Sequence, residues 1–228
     1  CCWDPEPMDA LPFTAQLINV FAAVLLLLSF AMLAQRRILS LVDLLAWQGA
    51  ALVGSTLAVA YSTGQQHLYY SAALTLALKV ILVPLVLHRL IRRLAVRWDT
   101  EPLLNIPATM IVGLALVVFS FGLAQPISAL ASTVTRSTLG IAIAVVMLSF
   151  LMMITRRKAI SQVIGFLAME NGLFFAATSA TYGMPMVVEL GVALDVLVGV
   201  VILGIFFFQI REQFDSLDLH HLERLKED

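Results

Sequence analysis

The sequence predicts an all-α integral membrane protein with about seven transmembrane helices. Hydrophobic residues fill 61% of its 228 positions, charged residues fill 13%, and the mean hydropathy is +0.95. Soluble domains are typically only about 45–50% apolar. The apolar residues form runs long enough for the ~20 helical residues that cross a ~30 Å hydrocarbon core. These runs are 11–34, 38–62, 68–91, 103–125, 137–154, 160–181 and 185–209.

The positions of the basic residues predict how these helices are oriented. Twelve of the fourteen Lys and Arg residues fall on one side of a seven-helix layout, and of the other two only Arg136 lies opposite. Lys and Arg collect in cytoplasmic loops, so we expect the N-terminus outside and the C-terminus inside. The twelve are Arg36, Arg37, Arg89, Arg92, Arg93, Arg97, Arg156, Arg157, Lys158, Arg211, Arg224 and Lys226.

Two parts of the chain are similar to each other. The segment from Gln35 to Ser40 opens the second helix much as Thr155 to Ser161 opens the sixth. Both halves begin on the same side of the membrane, which predicts a parallel three-helix repeat about an axis along the membrane normal. The organisation would be an extended leader (1–10), a first repeat (11–91), a basic loop with a linking helix (92–136), a second repeat (137–210) and an amphipathic cytoplasmic tail (211–228).

Three ionisable residues, Lys79, Glu170 and Asp195, lie near the centres of three different apolar segments. A charge at a helix centre costs roughly 2.5–3.5 kcal/mol on insertion scales, and such residues often mark proton or ion pathways. All three are ten to twelve residues along their helices, so we expect them at one depth. The sequence therefore predicts a lateral proton path at mid-membrane. The structural alternative is that Lys79 pairs with a carboxylate only to hold helices together.

Other polar residues extend this group. The repeat places Gln48 beside Glu170, and Asn171 follows Glu170 directly. Pro84, five positions after Lys79, cannot donate a backbone hydrogen bond to the Val80 carbonyl and should distort the third helix. Polar residues nearer the helix ends have an alternative role as interfacial anchors, although two of them could pass protons in from the cytoplasm. These two are Asp43 and His88.

Several classes of chemistry are not expected within this chain. Its only cysteines are the adjacent Cys1 and Cys2, which form no CxxC pair or iron–sulfur ligand set. The adjacent His220 and His221 point in different directions on a helix, so we expect no metal site. No basic domain that could bind nucleic acid is present. The prediction is a chain without a catalytic site or cofactor, in contact with lipid and with other membrane subunits.

A family resemblance points the same way. The stretch from Ser161 to Gly172, the stretch from Glu189 to Asp195 and the tail from Phe214 to Asp218 together resemble component E of hydrogenase-4. That family is similar, through its last three helices, to the K subunit of complex I. The resemblance implies a multi-pass inner-membrane subunit that works beside antiporter-like subunits and a hydrogenase module. Glu170 and Asp195 would then match the membrane-embedded acids of the K subunit.

Other functions remain open at this point. The chain could be the small subunit of a multisubunit cation/proton antiporter or of complex I. It could also be a purely structural assembly subunit. A retinal protein shares the helix count, but its lysine lies in the seventh helix and its acid in the third, whereas here Lys79 is in the third and Asp195 in the seventh.

Overall fold

A computed structural model describes residues 13–64, 66–93, 105–128 and 133–181, and the regular structure in these ranges is helical. Within these ranges, six stretches are long and apolar enough to cross a membrane, as in a multi-pass membrane protein. The elements are α1 (Phe13–Ala34), α2 (Ile38–Thr63), α3 (Gln66–Thr75), a π-helical segment (Leu76–Leu82), α4 (Val83–Arg93), α5 (Ile106–Ser128), α6 (Thr133–Thr155) and α7 (Ala159–Thr181).

The first six predicted helices agree with these elements to within four residues at each end. The third predicted helix, 68–91, corresponds to α3, the π-helical segment and α4 taken together. The seventh predicted helix, 185–209, lies outside the described residues, as do the leader and the tail. Seven helices therefore stay a prediction.

A tight hairpin at Gly64 joins α2 to α3. Gly64 has φ +67°, and its backbone N–H donates to the Ala60 carbonyl at 2.9 Å. Glycine adopts this left-handed conformation without the penalty that a Cβ brings. α2 also approaches the π-helical segment closely farther along, because a Cβ added to Gly49 would lie 3.4 Å from the Lys79 Cβ. We call the Gly64 side of the bundle the hairpin end.

We call α3, the π-helical segment and α4 together the third span. It contains the distortion that Pro84 predicts. A π-helical segment runs from Leu76 to Leu82, and at its end the Val83 N–H donates to the Leu78 carbonyl, five residues earlier. Proline has no N–H to continue the α-helical pattern, and π-helical turns inside α-helices are frequent at functional sites. Lys79 lies within this widened segment.

The main contacts of the described helices pair α1 with α2, α6 with α7, α1 with α6, and α2 with α7. α5 packs on α6 and α1, and the third span packs on α2. A two-fold axis along the membrane normal would instead bring α1 beside α7 or α2 beside α6. The contacts found for these helices are α1 with α6 and α2 with α7, and the predicted repeat and its axis stay a prediction.

Arg156 connects the two loops at the other end of the bundle, which we call the basic-loop end. It is 2% exposed and donates to the Leu33 carbonyl at 3.0 Å and the Gln35 carbonyl at 2.6 Å. These carbonyls lie at and just after the end of α1, where a helix provides no further backbone N–H groups to bond its last carbonyls. Burial, and then the charge of Arg36, lowers the pKa of the Arg156 guanidinium. Arg156 was predicted only to mark the cytoplasmic side of the membrane. In the structure, Arg156 also joins the α6–α7 loop to the end of α1.

Close packing of α6 on α7 depends on glycines, and we expect Gly172→Val to destabilise the bundle. A Cβ at Gly172 would lie 2.9 Å from Val145 Cγ1 and 3.1 Å from Val146 Cγ2. Overpacking of this kind typically costs about 1–3 kcal/mol. Thermal melting of the detergent-purified protein should show a lower midpoint for this variant.

Gly122→Val is the matched control, because a Cβ at Gly122 meets no atom within 4 Å. Its melting midpoint should stay close to that of the native protein. Equal midpoints for the two variants would show that α6 and α7 do not pack as closely as described.

Candidate functional site

The centre of the candidate site is a buried ion pair between the third span and α7. Lys79 Nζ lies 3.2 Å from Glu170 Oε1, and the two side chains are only 7% and 3% exposed. Removing one partner from a buried pair typically costs about 3–5 kcal/mol, since the remaining charge is left uncompensated. Two residues that the sequence placed at one depth are thus in contact.

Phe174 completes the surroundings of the lysine. Lys79 Nζ lies 5.4 Å from the centroid of the Phe174 ring, within the ~6 Å range of cation–π attraction. Phe174 was not predicted to belong to the site. Its spacing was the available signal, because Phe174 follows Glu170 by four residues and so shares its face of α7.

A chain of hydrogen bonds connects α7, α2 and α1 next to the ion pair. Asn171 Nδ2 donates to Gln48 Oε1 at 3.3 Å, Gln48 Nε2 donates to Ser29 Oγ at 3.0 Å, and Ser29 Oγ donates to the Leu25 carbonyl at 2.8 Å. All three side chains are buried, Gln48 completely. The predicted proximity of Gln48 to the Glu170 region is present, with Asn171 as the bonded partner. Ser29 was not foreseen.

Asp43 and His88 form a separate, more exposed pair. His88 Nε2 lies 3.7 Å from Asp43 Oδ1, with the two side chains 29% and 64% exposed. His88 also lines an open groove of about 560 Å³ on the third span, together with Val80, Ile81, Pro84, Leu85 and Arg89.

Buried leucines lie between this pair and the ion pair along the helices. Leu45 on α2 and Leu87 on α4, both buried, occupy the levels between Asp43–His88 and Lys79–Glu170. The role of Asp43 and His88 as cytoplasmic entry points for protons stays a prediction.

Two acidic residues of the sequence analysis, Asp195 and Glu189, lie outside the described residues, as do His220 and His221. Within the described ranges, no three His, Cys, Asp or Glu side chains are grouped closely enough to hold a metal ion. The described groups place an amine donor and a carboxylate acceptor 3.2 Å apart inside the bundle.

Comparisons with known proteins cover nearly the whole chain. It is 33% identical over 212 residues to the uncharacterized protein Rv0085 of Mycobacterium tuberculosis, covering 92% of this chain and 96% of that protein. It is 26% identical over 215 residues to hydrogenase-4 component E of Escherichia coli K12, covering 93% of this chain and 98% of that protein. The same figures hold for component E of Shigella flexneri.

No family profile matches the sequence, and no solved structure matches it. The similarity to the mycobacterial protein covers nearly all of both chains. The chain therefore belongs to the same family as Rv0085, and hydrogenase-4 component E is a more distant relative.

Proposed function

We propose that this protein is a non-catalytic membrane-arm subunit of a redox-driven, ion-translocating complex of the membrane-bound hydrogenase type. In this role Lys79, Glu170 and Asp195 carry protons, or charge coupled to sodium, sideways at mid-membrane. The redox chemistry takes place in another subunit. The observation that carries the proposal is the buried Lys79–Glu170 pair at 3.2 Å.

A purely structural role is a poor explanation for the cost of this pair. Well-packed hydrophobic residues of similar volume often stabilise a protein as much as a buried ion pair does, or more. Ionisable residues inside membrane segments are rare and are usually functional. Phe174 and the Gln48–Asn171 bond hold the surroundings of the pair in place, which favours a site with a defined geometry.

The path would extend laterally from this pair. Asp195 is the third titratable group predicted at the same depth, and Gln48 and Asn171 would orient water without titrating themselves. Neighbouring helices lie about 8–10 Å apart, a gap that one or two waters bridge. Movement of a proton from one carboxyl to the next leaves the charge of Lys79 partly unbalanced, which couples the two positions electrostatically.

The similar proteins support the proposal that the complex is of the hydrogenase type. Hydrogenase-4 component E is by name one component of a hydrogenase and aligns over 93% of this chain. We infer that the partners here are other membrane subunits, including antiporter-like ones, together with a hydrogenase module, in the inner membrane. The small subunit of a cation/proton antiporter or of complex I is the related alternative.

We also propose the parallel repeat and the orientation. Ser29 on α1 and Ser149 on α6 are both buried and donate to the carbonyl four residues earlier. The same spacing of 120 residues separates Arg36 from Arg156 at the loops that follow. The corresponding helices are α1 with α6 and α2 with α7, and each of these pairs is in contact. Under this proposal the basic-loop end is cytoplasmic and the hairpin end is outside.

Glu170→Gln is the central test of the proton path. This change keeps the shape of the side chain and removes its titratable proton, so the complex should assemble and transfer electrons. In proteoliposomes containing the whole complex, we expect the ion gradient per electron to fall. Glu170→Asp should be milder because it still titrates. Asp195→Asn should act like Glu170→Gln.

Thr178→Val is the matched control on the same helix. The Thr178 hydroxyl bonds the Phe174 carbonyl within α7, so its loss should leave the gradient unchanged. If Glu170→Gln and Asp195→Asn both build a full gradient at the native ratio, the path does not use these residues and the assembly role becomes the better explanation.

Substitutions of Lys79 distinguish a role of the ion pair in conduction from a purely structural role. In Lys79→Met the remaining Glu170 can become neutral by taking up a proton, so assembly should suffer less than pumping. The double variant Lys79→Met with Glu170→Gln should assemble at least as well as Lys79→Met alone. The structural account wins if Lys79→Met prevents assembly while Lys79→Arg assembles and pumps normally. Co-purification in mild detergent measures assembly.

The orientation can be tested with single cysteines after Cys1 and Cys2 are replaced by serine. Gln66 and Arg157 are exposed at opposite ends of the bundle. A membrane-impermeant thiol reagent added to intact cells should label Gln66→Cys and should label Arg157→Cys only after the membrane is opened. The reverse pattern would overturn the orientation.

A further inference from the structure

In the described bundle, more hydroxyl residues are buried on one side of the Lys79–Glu170 pair than on the other. The third span, α2 and α7 meet around this pair. Toward the hairpin end, their buried residues include six hydroxyls, on Ser55, Thr56, Ser71, Thr75, Thr178 and Ser179. Toward the basic-loop end, the corresponding buried positions are apolar except for Ser161 in the first turn of α7. They include Leu41, Leu45, Leu87, Ile164 and Leu167.

Two of these hydroxyls differ from most of the others. Buried Ser and Thr side chains in membrane helices commonly bond the carbonyl four residues earlier, and here Ser29, Thr56, Ser149 and Thr178 do so. Ser55 is 1% exposed and Ser71 is 3% exposed. Within the described part of the chain, neither of these hydroxyl oxygens has a hydrogen-bond partner.

A buried hydroxyl without a partner costs about 1–3 kcal/mol, and ordered water commonly satisfies such groups. Asn171 Oδ1, beside the ion pair, shares the condition among the described residues, as does Ser161 Oγ in the first turn of α7 at the basic-loop end. The oxygens of Ser55, Ser71 and Asn171 therefore have the same requirement, a small hydrogen-bonding ligand inside the bundle.

Ser55 and Ser71 lie at different distances from the level of the ion pair, measured along the bundle. Gly49 lies beside Lys79, and α2 and α3 run antiparallel from the Gly64 hairpin. At 1.5 Å per helical residue, Ser55 is roughly 9 Å and Ser71 roughly 12 Å from the level of the pair, both toward the hairpin. Thr75 lies between Ser71 and Lys79 on the same span. A row of waters a few ångströms apart would connect these positions.

We propose that a water-filled branch runs from the Lys79–Glu170 pair along Thr75, Ser55 and Ser71 to the hairpin end, while the basic-loop side of the pair is closed by apolar packing. Protons pass between the ion pair and this face of the membrane along the waters. The inference rests on the proposed function for its purpose, but its geometry does not depend on pumping. It also implies that Asp43 and His88 do not supply this pair directly.

Water access can be measured without any activity assay. In full-length protein lacking Cys1 and Cys2, we would introduce single cysteines by Ser55→Cys and Ser71→Cys, which change one atom. Leu68→Cys is the control in the same half and Leu45→Cys the control in the other half, and both leucines are buried. A small, charged, membrane-impermeant methanethiosulfonate reagent is added from the hairpin side.

Only the thiolate reacts, and each unit by which apolar burial raises a thiol pKa lowers the thiolate fraction about tenfold. We expect the Ser71→Cys and Ser55→Cys variants to react at least about tenfold faster than both controls, with the Ser71 position the faster of the two. Reaction from the basic-loop side should be as slow as for the Leu45→Cys variant.

Protection of both serine positions would overturn the branch, since it would show that another polar group or tight packing covers them. Equal labelling of the Leu68→Cys variant would also overturn it, because the bundle would then be loose throughout that half. These outcomes differ from failure of the proposed function. The proposed function fails if the Glu170→Gln complex pumps normally, and that result does not depend on the labelling.

Discussion

The rest of the described structure is arranged around one constraint, the placement of a lysine and a glutamate far from water. Lys79 and Glu170 are in contact and almost fully buried, and neither charge would be stable there alone. The π-helical segment carries Lys79, the close approach at Gly49 brings α2 and the third span together, and Phe174 contacts the ammonium group. Each of these local features has its simplest explanation in holding the pair in place.

The helices were largely predictable from the sequence because membrane insertion depends on composition over about 20 residues. The six described spans agree with the predicted ranges to within four residues. The depth of Lys79 and Glu170 was also predictable, since helical rise converts a residue count into a distance. Pro84 gave the position of the distortion, though not its π-helical form, which depends on how the chain repacks around the missing N–H.

Lateral arrangement was much harder to predict. Helices that cross a membrane in the same direction can stack by rotation or by sideways displacement, and apolar composition does not distinguish the two. The contacts between helices depend on individual residues, such as Gly172 of α7 against α6 and Ser29 of α1 against α2. The role of Arg156 was missed for a related reason, since its bonds join residues more than 120 positions apart. Asp195 lies outside the described residues, so its place beside Glu170 stays a prediction.

The asymmetry of the buried residues bears on how such a site would work. A group that takes up protons from both membrane faces at once would leak, so a coupled path needs one face closed while the other is open. Large apolar side chains are buried on the basic-loop side, among them Leu41, Leu45 and Leu87, and hydroxyls are among the residues buried on the opposite side. In the proposed branch, protons have one exit toward the hairpin end, and the other end is closed. The remaining direction for charge to move from Glu170 is then sideways, which is the direction that a chain of membrane subunits would require.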